Sequence, residues 1–145
     1  MKTRIIIISL IVTILVIVAC IFGFYNLSHK TNSVEIDGHP FRVELAIDPQ
    51  ARQKGLGGRD QLCPDCGMLF LFLQKGIYAF WMKDMRFNLD IIWISDGKIV
   101  YIAKDNSFQD LTPINPGVEA DKVLEINADL ADRYGFKVGD EVKNK

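Results

Sequence analysis

Apolar residues run from position 5 to position 25, interrupted only by Ser9, Thr13 and Gly23. These 21 residues match the ~20 that a helix needs to cross a bilayer. Their many β-branched side chains are no obstacle, because lipid forces backbone hydrogen bonds inside the segment. Lys2 and Arg4 precede the run, and Lys30 is the first charge after it. The positive-inside rule then places the N-terminus in the cytoplasm and residues 26–145 outside. The expectation is a single-pass protein of the cell membrane with an extracytoplasmic domain. Two rivals stand beside it. A cleaved signal peptide wants small residues just before its cleavage point, and no such site follows the run. Ile17-Val18-Ala19-Cys20 resembles a relaxed lipobox with Cys20 as the acylated residue, but the apolar IFGFY continues directly after it. The expected organisation is an anchor over residues 1–25, a polar linker over 26–33 (NLSHKTNS) and a folded domain over 34–145.

Within that domain the pattern changes to short alternating stretches. Val34–Ile36 and Phe41–Leu45 flank Asp37-Gly38, which reads as a hairpin. Asp48-Pro49 is a helix start, and Gly55 is a stop after Lys54. Gly67–Phe72 reads as a strand buried on both faces, Gln74–Gly76 as a turn, and Ile77–Met82 as a second aromatic strand. Leu89–Ser95 and Lys98–Ala103 form the clearest hairpin, around Asp96-Gly97. Residues 104–120 hold Pro113, Pro116 and Gly117 and read as a long loop. Lys122–Asn127 is a further strand, Asn127 is placed to cap a helix over 128–134, and Lys137–Val142 is a closing strand. The expected fold is mainly β with two short helices (α+β), a compact antiparallel barrel or sandwich behind the membrane helix.

Charge narrows the function. Removing Lys2 and Arg4 leaves 15 basic against 18 acidic residues, a net charge of −3 for the outer part. That argues against nucleic acid as a partner, which would need a basic face. The domain has no phosphate-cradling glycine loop, no G-x-S-x-G elbow and no H-E-x-x-H. His29 lies in the linker and His39 in a hairpin, which argues against histidine catalysis. No metal site or cofactor is implied.

Several residues do not suit a plain core. Asp90 sits among Leu89, Ile91 and Ile92, where an unpaired buried carboxylate would cost several kcal/mol. It is either a structural carboxylate paired with arginine or backbone amides, or a pocket group that binds a ligand or moves a proton. Glu125 repeats the pattern within KVLEIN and is either exposed or turned inward to meet Asp90. Two carboxylates in one cleft would permit acid–base work on a glycan. Trp81, Met82 and Lys83 join a flat ring, a thioether and a charge; Trp81 either closes a core or faces a groove. Cys63-Pro64-Asp65-Cys66 is expected to be a small structural disulfide outside the membrane, with a thiol–disulfide redox role as the alternative.

Lys54-Gly55-Leu56 with Arg59, Gly67–Phe72, Phe80–Lys83, Leu89–Ile91, Val123–Asn127 and Val138–Asp140 resemble, in order, the motifs of the domain-of-unknown-function 192 family. The resemblance covers residues 41–142. It implies one compact β-rich domain, often exported, and no particular activity. It directs attention to Arg59, Trp81, Met82, Asp90 and Glu125. Two positions depart from the family pattern: Gly57 stands where a bulky residue is usual, and Asp84-Met85 replace the usual Asn-Thr. The expected function is a membrane-tethered binding or accessory domain. It would hold a small polar ligand, for instance a glycan, or an envelope protein, through Arg59, Trp81, Met82, Lys83, Asp90 and Glu125.

Overall fold

The computed structural model describes residues 13–19 and 32–144. The chain forms two units, Met1–Thr31 and Asn32–Lys145. In the first, residues 13–19 are helical (α1). The rest of the expected spanning segment, Cys20 and most of the linker fall outside the described residues. Among the described residues no helix is long and apolar enough to cross a membrane.

The second unit is a seven-stranded sheet: β1 (Ser33–Ile36), β2 (His39–Ala46), β3 (Cys66–Gly76), β4 (Leu89–Ser95), β5 (Lys98–Asn106), β6 (Ala120–Asn127) and β7 (Val142–Asn144). Two short helices, α2 (Pro49–Lys54) and α3 (Leu130–Tyr134), accompany it. The spatial order is β5-β4-β6-β3-β2-β1-β7. Both expected hairpins form, and both need left-handed turn residues. Asp37 and Gly38 have φ of 46° and 82°, and Asp96 and Gly97 have 51° and 71°. This is the twist-matched geometry that Asp-Gly favours.

The sheet is mainly antiparallel, with one departure from the expected antiparallel order: β2 and β3 run parallel. Parallel neighbours need a crossover, and the chain through α2 supplies it. Asp48 caps α2 by accepting from the Ala51 amide at 2.8 Å, and the Gly55 amide closes it on the Ala51 carbonyl at 2.9 Å. The outer edges also approach one another. The Ile99 amide donates to the Asp140 carbonyl and the Val142 amide to the Gly97 carbonyl, at 3.0 and 2.8 Å. The result is a half-barrel with apolar side chains on both faces. Val34, Phe41, Leu69, Ile92, Leu124 and Ile126 pack one face, and Phe70, Met82, Ile91, Trp93 and Val123 the other.

Several expectations differ, the Gln74–Gly76 turn among them, because those residues belong to β3. Residues 77–82 are not a strand. β3 runs on through Gly76, with its register shifted between Leu71 and Gly76, and the chain then leaves the sheet. A lone bridge, Phe80 to Ile114, pins the segment. Its alternation survives as a cover: Phe80 and Met82 pack inward, while Ile77 and Trp81 stay exposed. The closing strand begins at Val142, because Lys137–Asp140 is a turn in which Asp140 accepts from the Lys137 amide at 2.9 Å. Asn127 does not cap α3; it donates to the Cys63 carbonyl at 2.9 Å.

Candidate functional site

Register separates the two buried carboxylates. Asp90 on β4 is the cross-strand partner of Ile126, and Glu125 on β6 is the partner of Ile91. Cross-strand partners share a face, and successive residues alternate. Asp90 and Glu125 therefore point to opposite faces of the sheet. They cannot act as one acid–base pair, and that expectation is corrected.

Asp90 is 0% exposed. Its two oxygens accept from the Asp105 and Ala131 amides, each at 2.8 Å. Ala131 lies in the first turn of α3, and Asp129 before it caps nothing with its side chain. Asp90 does that work from across the sheet, joining the end of β5 to the start of α3. Burial pushes its pKa up, and the amides of Asp105, Ala131 and Asp129 pull it back. Both oxygens are engaged by the protein's own backbone, so Asp90 leaves the candidate site.

Glu125 lies on the other face, in a row with Met68 of β3 and Glu44 of β2. It is 5% exposed, and its Oε2 is buried without a hydrogen-bond partner among the described residues. Burial raises its pKa to about 8, against the pull of the Arg59 charge. Below that pH it is a neutral acid with a proton to donate. Arg59 is not free to hold a ligand. Its guanidinium forks onto Glu44, Nη1 to Oε1 at 2.5 Å and Nη2 to Oε2 at 2.7 Å. That hydrogen bonding holds the Glu44 carboxyl below its ordinary value, although partial burial opposes it.

Above Glu125 the chain is arranged by glycines. A Cβ on Gly55 would come within 3.7 Å of Glu125 Oε2 and 3.4 Å of the Phe70 ring. At Gly57 a Cβ would lie 2.9 Å from the Lys54 carbonyl oxygen, so the turn there admits no side chain without shifting. The Gly58 amide donates to the Asp84 carbonyl at 2.8 Å, tying this elbow to the segment that carries Trp81 and Lys83.

Between α2 and that segment lies a cleft of about 730 Å³, lined by Gln50, Gln53, Lys54, Trp81, Lys83 and Arg86 among others. A space of about 30 Å³ adjoins it, lined by Lys54, Gly55, Trp81, Lys83 and, at its floor, Glu125. Trp81 is 50% exposed, and Lys83 Nζ stands 5.1 Å from its ring centroid. Arg86 pairs with Asp60, and Arg52 donates to the carbonyls of Ile47 and Leu71. Lys54 and Lys83 form no ion pair among the described residues. The cleft can thus offer the Trp81 ring with the Lys83 ammonium over it, the Lys54 ammonium and the Asp84 carboxylate, with the buried Glu125 in the small space beside it.

Of the residues singled out from the sequence, the structure brings together Trp81, Lys83 and Glu125. Met82 is corrected: it is 1% exposed and fills the core beneath them. Sequence reasoning misses Lys54, Gln50 and Gln53 as cleft residues. They sit on α2, which buries no residue of its own, so hydrophobic periodicity carries no signal for them. Cys63 and Cys66 are disulfide-bonded, with Cα atoms 5.2 Å apart. Cys66 opens β3, so no helix follows to lower a thiol pKa.

The model of the domain-of-unknown-function 192 family, described as uncharacterized ACR, matches residues 32–144. Solved structures share the fold, and two of them illustrate the likeness to this chain. One, a protein of unknown function from Novosphingobium aromaticivorans, is 37% identical, with a TM-score of 0.74 over 77% of this chain and 83% of that one. The other, a Sinorhizobium meliloti protein proposed to be a transcription regulator, is 33% identical, with a TM-score of 0.73 over 78% of this chain and 91% of that one. No curated protein matches the chain.

Proposed function

This chain belongs to the domain-of-unknown-function 192 family, and from that premise we propose that its outer domain is a binding module for a small polar ligand, a glycan fragment for instance, held outside the membrane by the apolar N-terminal run. One observation carries the reading. The half-exposed Trp81 lines both the cleft and the adjoining space of about 30 Å³, and that small space is also lined by Glu125, a buried carboxyl with an unpartnered oxygen. An unpartnered buried polar oxygen is costly, and a ligand or water entering the cleft would relieve it. The site offers a stacking surface and hydrogen-bonding groups, the usual elements of a small-molecule pocket. Asp90, the other buried carboxylate, lies on the opposite face, so binding is favoured over acid–base catalysis. Direct binding of nucleic acid sits poorly with the net charge of −3 over residues 26–145.

The test is mass spectrometry of the full chain and of Trp81→Ala after gentle extraction under native conditions. Trp81 is half exposed, so its removal should leave the fold intact. A small compound that co-purifies with the wild type and is lost from the variant supports the reading. A compound retained equally by both overturns the placement of the site at Trp81, and none in either overturns the reading in favour of a protein partner.

A further inference from the structure

The chemistry around the cleft narrows the ligand beyond "small and polar", and this narrowing rests on the binding reading above. Lys54 and Lys83 approach the cleft from opposite walls, α2 and the segment after Trp81, and both also line the small space over Glu125. Two ammonium groups left without carboxylate partners converge on one volume and favour an anion there. Trp81 supplies a half-exposed ring of the size of a sugar, and the Lys83 ammonium lies over it at 5.1 Å from the centroid, so a sugar packing on the ring meets that cation. The third element is the unpartnered Glu125 Oε2, reached through a space of about 30 Å³ that is large enough for one water or one ligand oxygen.

We propose that the cleft takes an acidic saccharide, its carboxylate held by Lys54 and Lys83, its ring face stacked on Trp81, and an oxygen of the sugar accepting a hydrogen bond from the Glu125 carboxyl directly or through one water. A neutral sugar would leave the Lys54 and Lys83 ammonium groups without a carboxylate, and a bare anion would add no packing against the Trp81 ring.

Glu125 can donate only while it keeps its proton, so binding is linked to its titration. Its surroundings are defined on every side. Arg59, itself forked onto Glu44 of β2, acts through its charge. Arg52 and Lys54 of α2 and Lys83 of the covering segment line the space above. The cross-strand neighbours are uncharged, Met68 on β3 and Ile91 on β4. Asp84 lines the outer cleft.

The experiment is isothermal titration calorimetry of the full chain in detergent with glucuronate, glucose and inorganic phosphate, from pH 6 to pH 9. For the wild type, glucuronate should bind at least about tenfold more tightly than either glucose or phosphate at pH 6. Its affinity should fall about tenfold by pH 9, as Glu125 ionises. Glu125→Gln, which keeps a neutral donor, should bind glucuronate with a flat pH profile. The double variant Lys54→Gln, Lys83→Gln should lose at least about tenfold at every pH. Glucose binding as well as glucuronate, or phosphate binding equally, overturns the acidic-saccharide assignment. Superimposed pH profiles for wild type and Glu125→Gln overturn the role of Glu125. Absence of binding by all three probes also overturns the assignment. The binding reading itself then stands or falls on the compound that co-purifies with wild type and not with Trp81→Ala.

Discussion

Substituting Glu125 by glutamine should turn a pH-dependent stability into a flat one. In the unfolded chain this carboxyl ionises near its ordinary value of 4.5, whereas in the fold it holds its proton to about pH 8. The folded pKa is raised, so below pH 4.5 the acid costs nothing. Between 4.5 and 8 the unfolded chain gives up a proton that the fold retains, and stability falls by roughly 1.4 kcal/mol for each pH step. From pH 5 to pH 7 this amounts to about 2.5 kcal/mol, and from pH 5 to pH 9 about 4 kcal/mol, after which the dependence levels off. The substituted side chain would have the same shape and no titration. Its buried amide needs partners that the site does not offer, which costs about 1–3 kcal/mol at all pH values. The wild type should therefore be the more stable protein at pH 5 and the variant the more stable at pH 9. Urea denaturation at intervals across that range measures it, followed through the fluorescence of the buried Trp93, whose Nε1 donates to the Tyr78 carbonyl. Asp90, whose pKa is also raised by burial, contributes equally to both proteins and cancels in the difference. Parallel stability profiles for the two proteins would refute the reasoning, because they would mean that Glu125 ionises freely in the fold.

Three further substitutions probe the neighbouring arrangement. Asp90→Asn turns an acceptor oxygen into an NH2 group facing an amide N–H, at Ala131 or at Asp105; it should cost roughly 2–3 kcal/mol in urea denaturation, and a loss below about 0.5 kcal/mol would refute the cap. Arg59→Ala removes a half-exposed pair with Glu44 and should cost at most about 1 kcal/mol. The same change should move the Glu125 titration upward, since the guanidinium charge now lowers it, and carbon-detected NMR of the Glu125 carboxyl would show an unchanged midpoint if that coupling were absent. Gly67→Ala sets a Cβ 2.7 Å from the Glu125 carbonyl oxygen in the middle of the sheet; a destabilisation of about 1–3 kcal/mol is expected, and a wild-type thermal midpoint would show that the strands can part there.

The parts of this protein that are legible in the sequence are those set by neighbours along the chain. Asp37-Gly38 and Asp96-Gly97 bend hairpins because their own backbones adopt left-handed angles. α2 starts at Asp48 and stops at Gly55 for equally local reasons. The oddity of Asp90 and Glu125 is also legible, since a carboxylate between aliphatic residues needs an explanation wherever the strand lies. What the carboxylates do is decided by tertiary structure. Period two assigns alternate residues to alternate faces, but it does not say which face is covered or by what. Pairing of β4 with β6 puts the two acids on opposite sides. The distant amides of Asp105 and Ala131 then satisfy Asp90, while Glu125 keeps a buried, unpartnered oxygen in a small space that Trp81 also lines. Residues 77–82 carry the alternation of a strand yet lie off the sheet. Their place is fixed by β6 pairing with both β3 and β4, which joins residues far apart along the chain, such as Phe70 and Val123, and no local pattern encodes such a choice.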